Sequence, residues 1–334
     1  MHITLLLAEH SSLATAALVL EVLDAANRFA APATAPFAVS VASLDGQPVG
    51  NPLGRAMPVD VALDALERTD LVLIPGFLFS LREALPTFQR YCAWLRHQHQ
   101  QGAVIASMCT ATFMLAEAGL LDGVEATTHW AFADLMRRRY PAVRLDERRI
   151  LCEEGRLISS AGASAAMDLM LHLIRRFASR ELAQQCSRYL LIDDVRNEQS
   201  VYIRWSMPRG HGDEAVSRVQ EWMEAHFAEP CGIDELAVDF GFGVRNFKRR
   251  FKDATGYSPL AYLQALRLEK AKQLLETTRL GFDVITSRVG YEDSNSFRRL
   301  FCQRVGISPA AFRKRFRCAP QERGKQSQQA GQGL

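Results

Sequence analysis

Short apolar runs alternate with segments of helical periodicity over residues 1–195. The runs of strand length are Ile3–Ala8, Phe37–Leu44, Leu71–Pro75 and Ala103–Ser107. The segments with apolar residues at helical spacing are Leu13–Phe29, Leu85–Gln101, Thr110–Gly119 and Ala163–Phe177. This alternation predicts an α/β sandwich with a flavodoxin-like, mostly parallel sheet that helices cover on both faces.

The pattern changes after residue 195. Residues 196–212 are rich in Asn, Gln, Ser, Pro and Gly, which is typical of a linker. Residues 213–318 have almost continuous helical periodicity and predict an all-α domain. Residues 319–334 contain little that could form a core, so we expect a disordered tail.

One unit of the all-α domain occurs twice, at an offset of 50 residues. The identical pairs are Phe247/Phe297, Arg249/Arg299, Phe251/Phe301, Gly256/Gly306, Ser258/Ser308 and Pro259/Pro309. Each copy reads as a short helix, a tight turn at Gly241 or Gly290, and a second helix with inward phenylalanines and basic outer faces. This arrangement predicts two helix-turn-helix units, joined by a long helix over Leu260–Thr277.

Charge is distributed unevenly behind a formal net charge of +3. Residues 1–210 carry 20 arginines, no lysine and 22 acidic residues, whereas residues 245–317 carry 17 basic and 6 acidic residues. A near-neutral N-terminal part and a basic C-terminal part indicate two domains, of which the C-terminal one binds a polyanion.

The seven cysteines are scattered and include no Cys-x-x-Cys pair, which argues against disulfides and structural zinc. We therefore expect a cytoplasmic protein without a metal or another cofactor. The N-terminus has an apolar run without a basic flank or a cleavage site, so we expect neither a signal peptide nor a membrane association.

Residues 213–316 resemble the AraC-type DNA-binding domain, on the motifs FKRRFKDATGYSP and VGYEDSNSFRRLFCQRVGISPAAFRKRF. The resemblance implies two recognition helices in successive major-groove faces of double-stranded DNA. By motif position, the predicted DNA-binding residues are Arg245, Asn246, Lys248, Arg249, Ser294, Asn295, Arg298 and Arg299. Arg249 and Arg299 have a structural alternative, because residues identical in both copies can brace the fold. The general alternative for the basic positions is a solvated face of a helical bundle.

The segment AVIASMCTATF predicts a nucleophile elbow, in which a strand turns sharply at Cys109 into a helix. The helix N-terminus is expected to favour the Cys109 thiolate. His129, in the segment TTHW, is a conceivable base. A cysteine-dependent hydrolase or amidase is therefore one alternative function, and a Cys109 redox sensor is another.

Residues 1–180 resemble PfpI-like, class I glutamine-amidotransferase-like proteins, from LLLAEHSSLATAALVLEVLDAAN through SMCTATF and TTHW to GRLISSAGASAAMDLMLHLI. Thr110 follows the elbow cysteine where protease-like members have a histidine. Thr15 stands where many members aim an acid at the cysteine. Without an acid or base in contact, a cysteine lacks the activation that catalysis requires, so we expect no catalytic residue and no enzyme.

In this order the two resemblances indicate AraC-family regulators with a PfpI-like front domain, the GlxA-like group. The resemblance implies a front domain that senses a small molecule, an amino acid or a quaternary amine, and forms a homodimer. RNA polymerase is a further partner if the protein is an activator. The residues expected to line the ligand pocket are Gly76, Phe77, Cys109, Thr110, His129, Trp130 and Gly162.

Overall fold

The computed structural model describes residues 1–30, 35–50, 54–192, 198–205 and 207–317. The chain divides into two compact units, Met1–Ser200 and Val201–Leu334. The predicted tail, residues 319–334, lies outside the described residues, as do residues 196, 197 and 206 of the predicted linker. Among the residues that the structure describes, no helix is long and apolar enough to cross a membrane.

The front unit is built around a seven-stranded sheet. Its strands, with two small strand pairs beside the sheet, are β1 (His2–Leu6), β2 (Ala38–Ser43), β3 (Val49–Gly50), β4 (Ala56–Met57), β5 (Val61–Ala62), β6 (Leu71–Ile74), β7 (Val104–Met108), β8 (Glu125–Ala126), β9 (Arg144–Leu145), β10 (Leu151–Glu154) and β11 (Leu157–Ser160). Its helices are α1 (Leu13–Phe29), α2 (Leu81–Ala84), α3 (Gln89–Gln100), α4 (Thr112–Glu117), α5 (Ala133–Arg139), α6 (Ala165–Phe177) and α7 (Arg180–Tyr189).

The strand order of the sheet is β10-β11-β7-β6-β1-β2-β5. Every neighbouring pair is parallel except β10 and β11, which are antiparallel. Because helices cover both faces, the central strands bury successive residues on alternate sides, and β6 and β7 are buried along their whole lengths. The predicted mostly parallel α/β fold is confirmed.

Two apolar clusters pack on the sheet. One joins α1, α6 and α7 to residues such as Ile3 and Leu73, and the other joins α3 and α4 to residues such as Val72 and Ile105. The Ser12 side chain caps α1 by accepting a hydrogen bond from the Thr15 amide at 3.3 Å.

Local chemistry moved some boundaries away from the prediction. The helix expected from Leu85 begins at Gln89, because Pro86 lies in a separate 3₁₀ turn over Leu85–Thr87. The helix expected from Thr110 begins at Thr112, after a 3₁₀ turn over Cys109–Ala111. The helices α5 and α7 were not predicted.

The second unit is helical. Its elements are α8 (Glu214–Ala225), α9 (Ile233–Asp239), α10 (Val244–Thr255), α11 (Pro259–Thr277), α12 (Phe282–Arg288), α13 (Ser294–Val305) and α14 (Pro309–Phe316). The two repeats end their second helices identically. The residues Gly256 and Gly306 stop α10 and α13 with φ of 78° and 84°, and a Ser-Pro pair then starts the next helix in each copy.

The helix α11 contributes to two separate cores. Near its start, Tyr262 and Leu266 pack with Phe247 and Phe251 of α10. Near its end, Ala271 and Leu275 pack into a second cluster, which contains the phenylalanines of α13. Each helix-turn-helix unit therefore completes its core with one end of the same helix.

A polar junction also ties the two halves of this unit together. The Arg267 guanidinium of α11 donates to the Phe227 carbonyl at 2.7 Å and to the Glu229 carbonyl at 2.9 Å. It also lies over the Tyr291 ring, 5.3 Å from the ring centroid. Gly290, in the turn before Tyr291, has φ of +81°, and a Cβ there would lie 2.6 Å from the Ala228 carbonyl oxygen. A glycine is therefore needed for the close approach as well as for the turn.

Gly290→Ala is expected to destabilise the helical unit by about 3 kcal/mol or more, because the left-handed backbone alone costs about 1–2 kcal/mol and the methyl group also meets Ala228. Gly241→Ala is the matched control, since its φ is +74° with no atom within 4 Å of the added carbon. Urea denaturation of the full chain measures both variants. Equal losses of stability would show that the contact with Ala228 contributes nothing.

Candidate functional site

The elbow is held in a left-handed conformation by close packing. Cys109 follows β7 directly, and its φ is +57°. A Cβ on Gly76 would lie 2.8 Å from the Cys109 Cβ and 2.9 Å from the Met108 carbonyl oxygen. Only glycine leaves room at this position, so the strands β6 and β7 deliver Gly76 and Cys109 to the same point.

Hydroxyl groups fix the backbone around the elbow. The Phe77 amide donates to the Thr110 hydroxyl oxygen at 2.9 Å. The Thr128 hydroxyl donates to the Cys109 carbonyl at 2.9 Å, which connects the elbow to the segment before His129. Sequence reasoning missed Thr128; its position in TTHW, directly before His129, was the available signal.

The expected activation of the Cys109 thiol is wrong. The residue is 1% exposed, and burial raises the pKa of the thiol to about 11, although hydrogen bonds from Thr110 oppose the shift. The first turn after β7 is a short 3₁₀ segment, and its polarity does not compensate for the loss of water around a thiolate. At neutral pH the thiol is protonated.

His129 is also electrically neutral. Burial lowers the pKa of its imidazole. The ring Nδ1 accepts a hydrogen bond from the Ala131 amide at 3.1 Å, so the neutral ring carries its proton on Nε2. A Cβ on Gly162 would lie 3.3 Å from the His129 Cδ2, so Gly162 keeps space beside the ring.

The predicted pocket residues fall into two groups that Thr128 connects. The first group contains Gly76, Phe77, Cys109 and Thr110, and the second contains His129, Trp130 and Gly162. The Phe77 ring itself is buried against Phe88, with centroids 4.9 Å apart, so this residue contributes its amide at the elbow. The rings of His129 and Trp130 lie 5.5 Å apart.

The two recognition helices repeat one outward-facing pair. On α10 the Arg249 guanidinium donates to the Asn246 side-chain oxygen at 3.4 Å, and on α13 the Arg299 guanidinium donates to the Ser296 hydroxyl at 3.1 Å. All four residues are exposed. Each bond lies within its own helix, so it positions the guanidinium group without joining separate elements. Sequence reasoning missed Ser296, although it stands 50 residues after Asn246.

Other predicted DNA-binding residues lie on the flanks of these helices. Lys248 forms a 2.6 Å ion pair with Asp234 of α9. The Arg298 guanidinium lies over the Phe282 ring at 5.3 Å. Arg250, which was not predicted to bind DNA, forms a two-pronged pair with Asp213 at 2.6 and 3.0 Å.

The N-terminal ends of the two recognition helices differ. Gly243 precedes α10 and provides no side-chain cap, and the exposed Arg245 follows in the first turn. Asp293 precedes α13, and its carboxylate accepts from the amides of Asn295 and Ser296, both at 3.0 Å. A hydrogen bond from the Ser296 side chain, together with these two backbone bonds, holds the pKa of Asp293 below its usual value. Ser294 is half-buried at the first position of α13.

The comparisons with known proteins agree with this geometry. Residues 4–176 match the DJ-1/PfpI family, and residues 236–315 match a helix-turn-helix domain family. The chain is 32% identical to the HTH-type transcriptional regulator GbdR of Pseudomonas aeruginosa, over 80% of this chain and 72% of that protein. The chain belongs to the AraC-family regulators with a DJ-1/PfpI domain. It is likewise 32% identical to the regulator CdhR of the same species, over 88% and 85% of the two chains.

The fold has a counterpart among solved structures as well. A crystal structure of a protein from Vibrio parahaemolyticus has a TM-score of 0.50 and 22% identity, and the match covers 57% of this chain and 98% of that one. At this identity the likeness concerns the fold alone. The regulators named above and the helix-turn-helix match show a DNA-binding transcriptional regulator and not an enzyme.

Cys109 is expected to react with iodoacetamide about 300-fold more slowly at pH 8 than a free thiol, because a pKa of about 11 leaves that much less thiolate. The rate should rise as the pH approaches 11. Since the folded pKa is raised, burial of the thiol stabilises the fold below about pH 8.5 and this contribution is lost as the pH rises through 11. Peptide mass spectrometry measures the rate, with the half-buried Cys302 as the internal control. Fast alkylation of Cys109 at pH 8 would contradict the buried, protonated thiol.

Proposed function

We propose that this protein is a sequence-specific regulator in which a small molecule, bound in a catalytically degenerate front domain, controls DNA binding. In this proposal residues 1–195 sense the effector and form a homodimer in the cytoplasm. Residues 213–318 bind the operator, and residues 196–212 connect the two. RNA polymerase is a partner if the output is activation.

The repeated outward pair on α10 and α13 supports sequence-specific binding. Arginine can bond the edge of guanine with two hydrogen bonds, and asparagine can do the same for adenine. In each copy a side chain three residues earlier restrains the arginine, which reduces the entropy lost on binding. We therefore assign base reading to Arg249 and Arg299, with Asn246 and Ser296 beside them. Arg245, Lys248, Asn295 and Arg298 are assigned mainly to the phosphates.

The electrically neutral side chains at the elbow support effector binding over catalysis. The Cys109 thiol is protonated, and the His129 ring offers an N–H donor at Nε2. Thr15, at the position of the missing acid, bonds Ser12 with its hydroxyl at 3.0 Å. A donor without an adjacent base suits the recognition of a polar ligand, such as an amino acid. The half-buried Trp130 adds an aromatic face that a quaternary amine could contact.

The chemistry of Cys109 disfavours both alternatives considered for it. A nucleophile and a redox sensor each need an accessible thiolate, whereas this thiol is buried and has a raised pKa. Cys109→Ala should therefore bind the operator as the wild type does, and peroxide should have the same effect on operator binding by both proteins.

Arg249→Ala should weaken operator binding about 10–100-fold, because a good two-bond contact to a base contributes about 1–3 kcal/mol. The matched control is Arg250→Ala, which removes the same charge from the same helix at a side chain that pairs with Asp213. It should weaken binding less than about threefold. Gel shift with a promoter fragment and a scrambled duplex, at several salt concentrations, measures both. No preference of the wild type for any promoter fragment would refute sequence-specific binding.

An effector at 100 times its dissociation constant should stabilise the full chain by about 2.7 kcal/mol. A thermal-shift screen of amino acids and quaternary amines tests this expectation. His129→Ala should remove the shift, whereas His172→Ala, which changes a histidine paired with Glu153 on the same unit, should keep it. A shift that survives in His129→Ala would place the effector elsewhere.

A further inference from the structure

Gln199 is a buried residue whose side chain holds the loop beside the elbow, residues 127–130. It is 4% exposed, and its backbone amide donates to the Arg148 carbonyl at 2.7 Å. Its side-chain amide donates to the Thr128 carbonyl at 2.8 Å and to the Arg149 carbonyl at 3.2 Å. Its side-chain oxygen accepts from the Trp130 amide at 3.4 Å. These bonds bracket His129 on both sides.

The same loop is bonded to the elbow. Thr128 accepts from Gln199 with its carbonyl and donates from its hydroxyl to the Cys109 carbonyl. One residue therefore separates Gln199 from the backbone of Cys109. A ligand that displaces the loop must act on the hydrogen bonds of Gln199.

The residues that follow Gln199 are fixed in the helical unit. Val201 is 5% exposed within the core that contains Phe297 and Phe301. The Trp205 amide donates to the Glu269 carboxylate at 3.1 Å, and the buried Lys272 ammonium donates to the Ile203 carbonyl. Although the composition of residues 196–212 is typical of a linker, Gln199 and residues 201–205 are anchored, and only Ser200 separates the two anchored segments.

We propose that Gln199 is a positioning residue that couples the loop beside the elbow to the DNA-binding unit. With a single residue between the anchors, the backbone transmits a displacement of Gln199 to Val201 with little slack. Release of the Gln199 side chain leaves the pocket and the helical unit intact but uncouples them. The inference rests on the proposed regulatory function, because it assumes that the elbow pocket and the operator influence each other.

The test uses the operator duplex as the probe, because coupling between two sites is reciprocal. Hydrogen exchange of the full chain is measured with the operator and with a scrambled duplex. In the wild type, the operator should change the exchange rate of the Thr127–Trp130 peptide at least about fivefold, the lower end of typical coupling. In Gln199→Glu, which keeps the size but removes the donor, and in Gln199→Met, the change should fall below about 1.5-fold, near the absence of coupling.

Gln98→Glu is the matched control. Gln98 is also a fully buried glutamine of the front unit, and its side-chain amide donates to the carbonyls of Leu66 and Glu67. This variant should keep the full response at Thr127–Trp130. Unchanged exchange of the β7 peptide in every variant verifies the fold.

The outcomes separate the two claims. A wild type that binds no specific duplex refutes the proposed function. A wild type that binds its operator without a change at Thr127–Trp130 refutes the role of Gln199 alone. The role of Gln199 is also refuted if the change in exchange at Thr127–Trp130 survives in both Gln199 variants, or if it is lost equally in Gln98→Glu.

Discussion

The burial of α11 is the constraint on which the helical unit depends. Neither helix-turn-helix core is complete without it, because Tyr262 and Leu266 close one core while Ala271 and Leu275 close the other. The Arg267 guanidinium between these pairs provides hydrogen-bond donors for the carbonyls of Phe227 and Glu229. The spacing of α10 and α13 is therefore a property of one rigid helix. A domain that binds two successive segments of the major groove needs such a fixed spacing between its recognition helices.

The front unit combines the backbone geometry of an elbow with a buried thiol whose pKa is raised. Gly76 and the left-handed Cys109 preserve a strained backbone, which persists because the surrounding sheet over-determines it. The thiol at that point is buried and protonated, and the nearby imidazole is neutral. The backbone geometry depends on the close packing at Gly76, whereas the raised pKa of the thiol depends on its burial.

The sequence predicted those features that local periodicity and repetition encode. The bounds of α1 were predicted correctly, since Leu13–Phe29 has a capping serine and regular apolar spacing. The shift of α3 was not foreseen, because Pro86 favours a separate turn within an apolar pattern that looks continuous. Long-range relations were beyond sequence reasoning. The protonation of Cys109 depends on desolvation by distant residues, and the Lys248–Asp234 pair depends on the angle between α9 and α10.

The unequal ends of the recognition helices give the repeat a direction. Two similar helix-turn-helix units joined by α11 could bind a duplex in either orientation if the N-terminal ends of α10 and α13 were chemically the same. Bare amides after Gly243 attract a backbone phosphate, whereas the Asp293 carboxylate already occupies the amides of α13 and repels one. The two ends of the repeat are therefore chemically distinct, although the helices themselves follow one pattern.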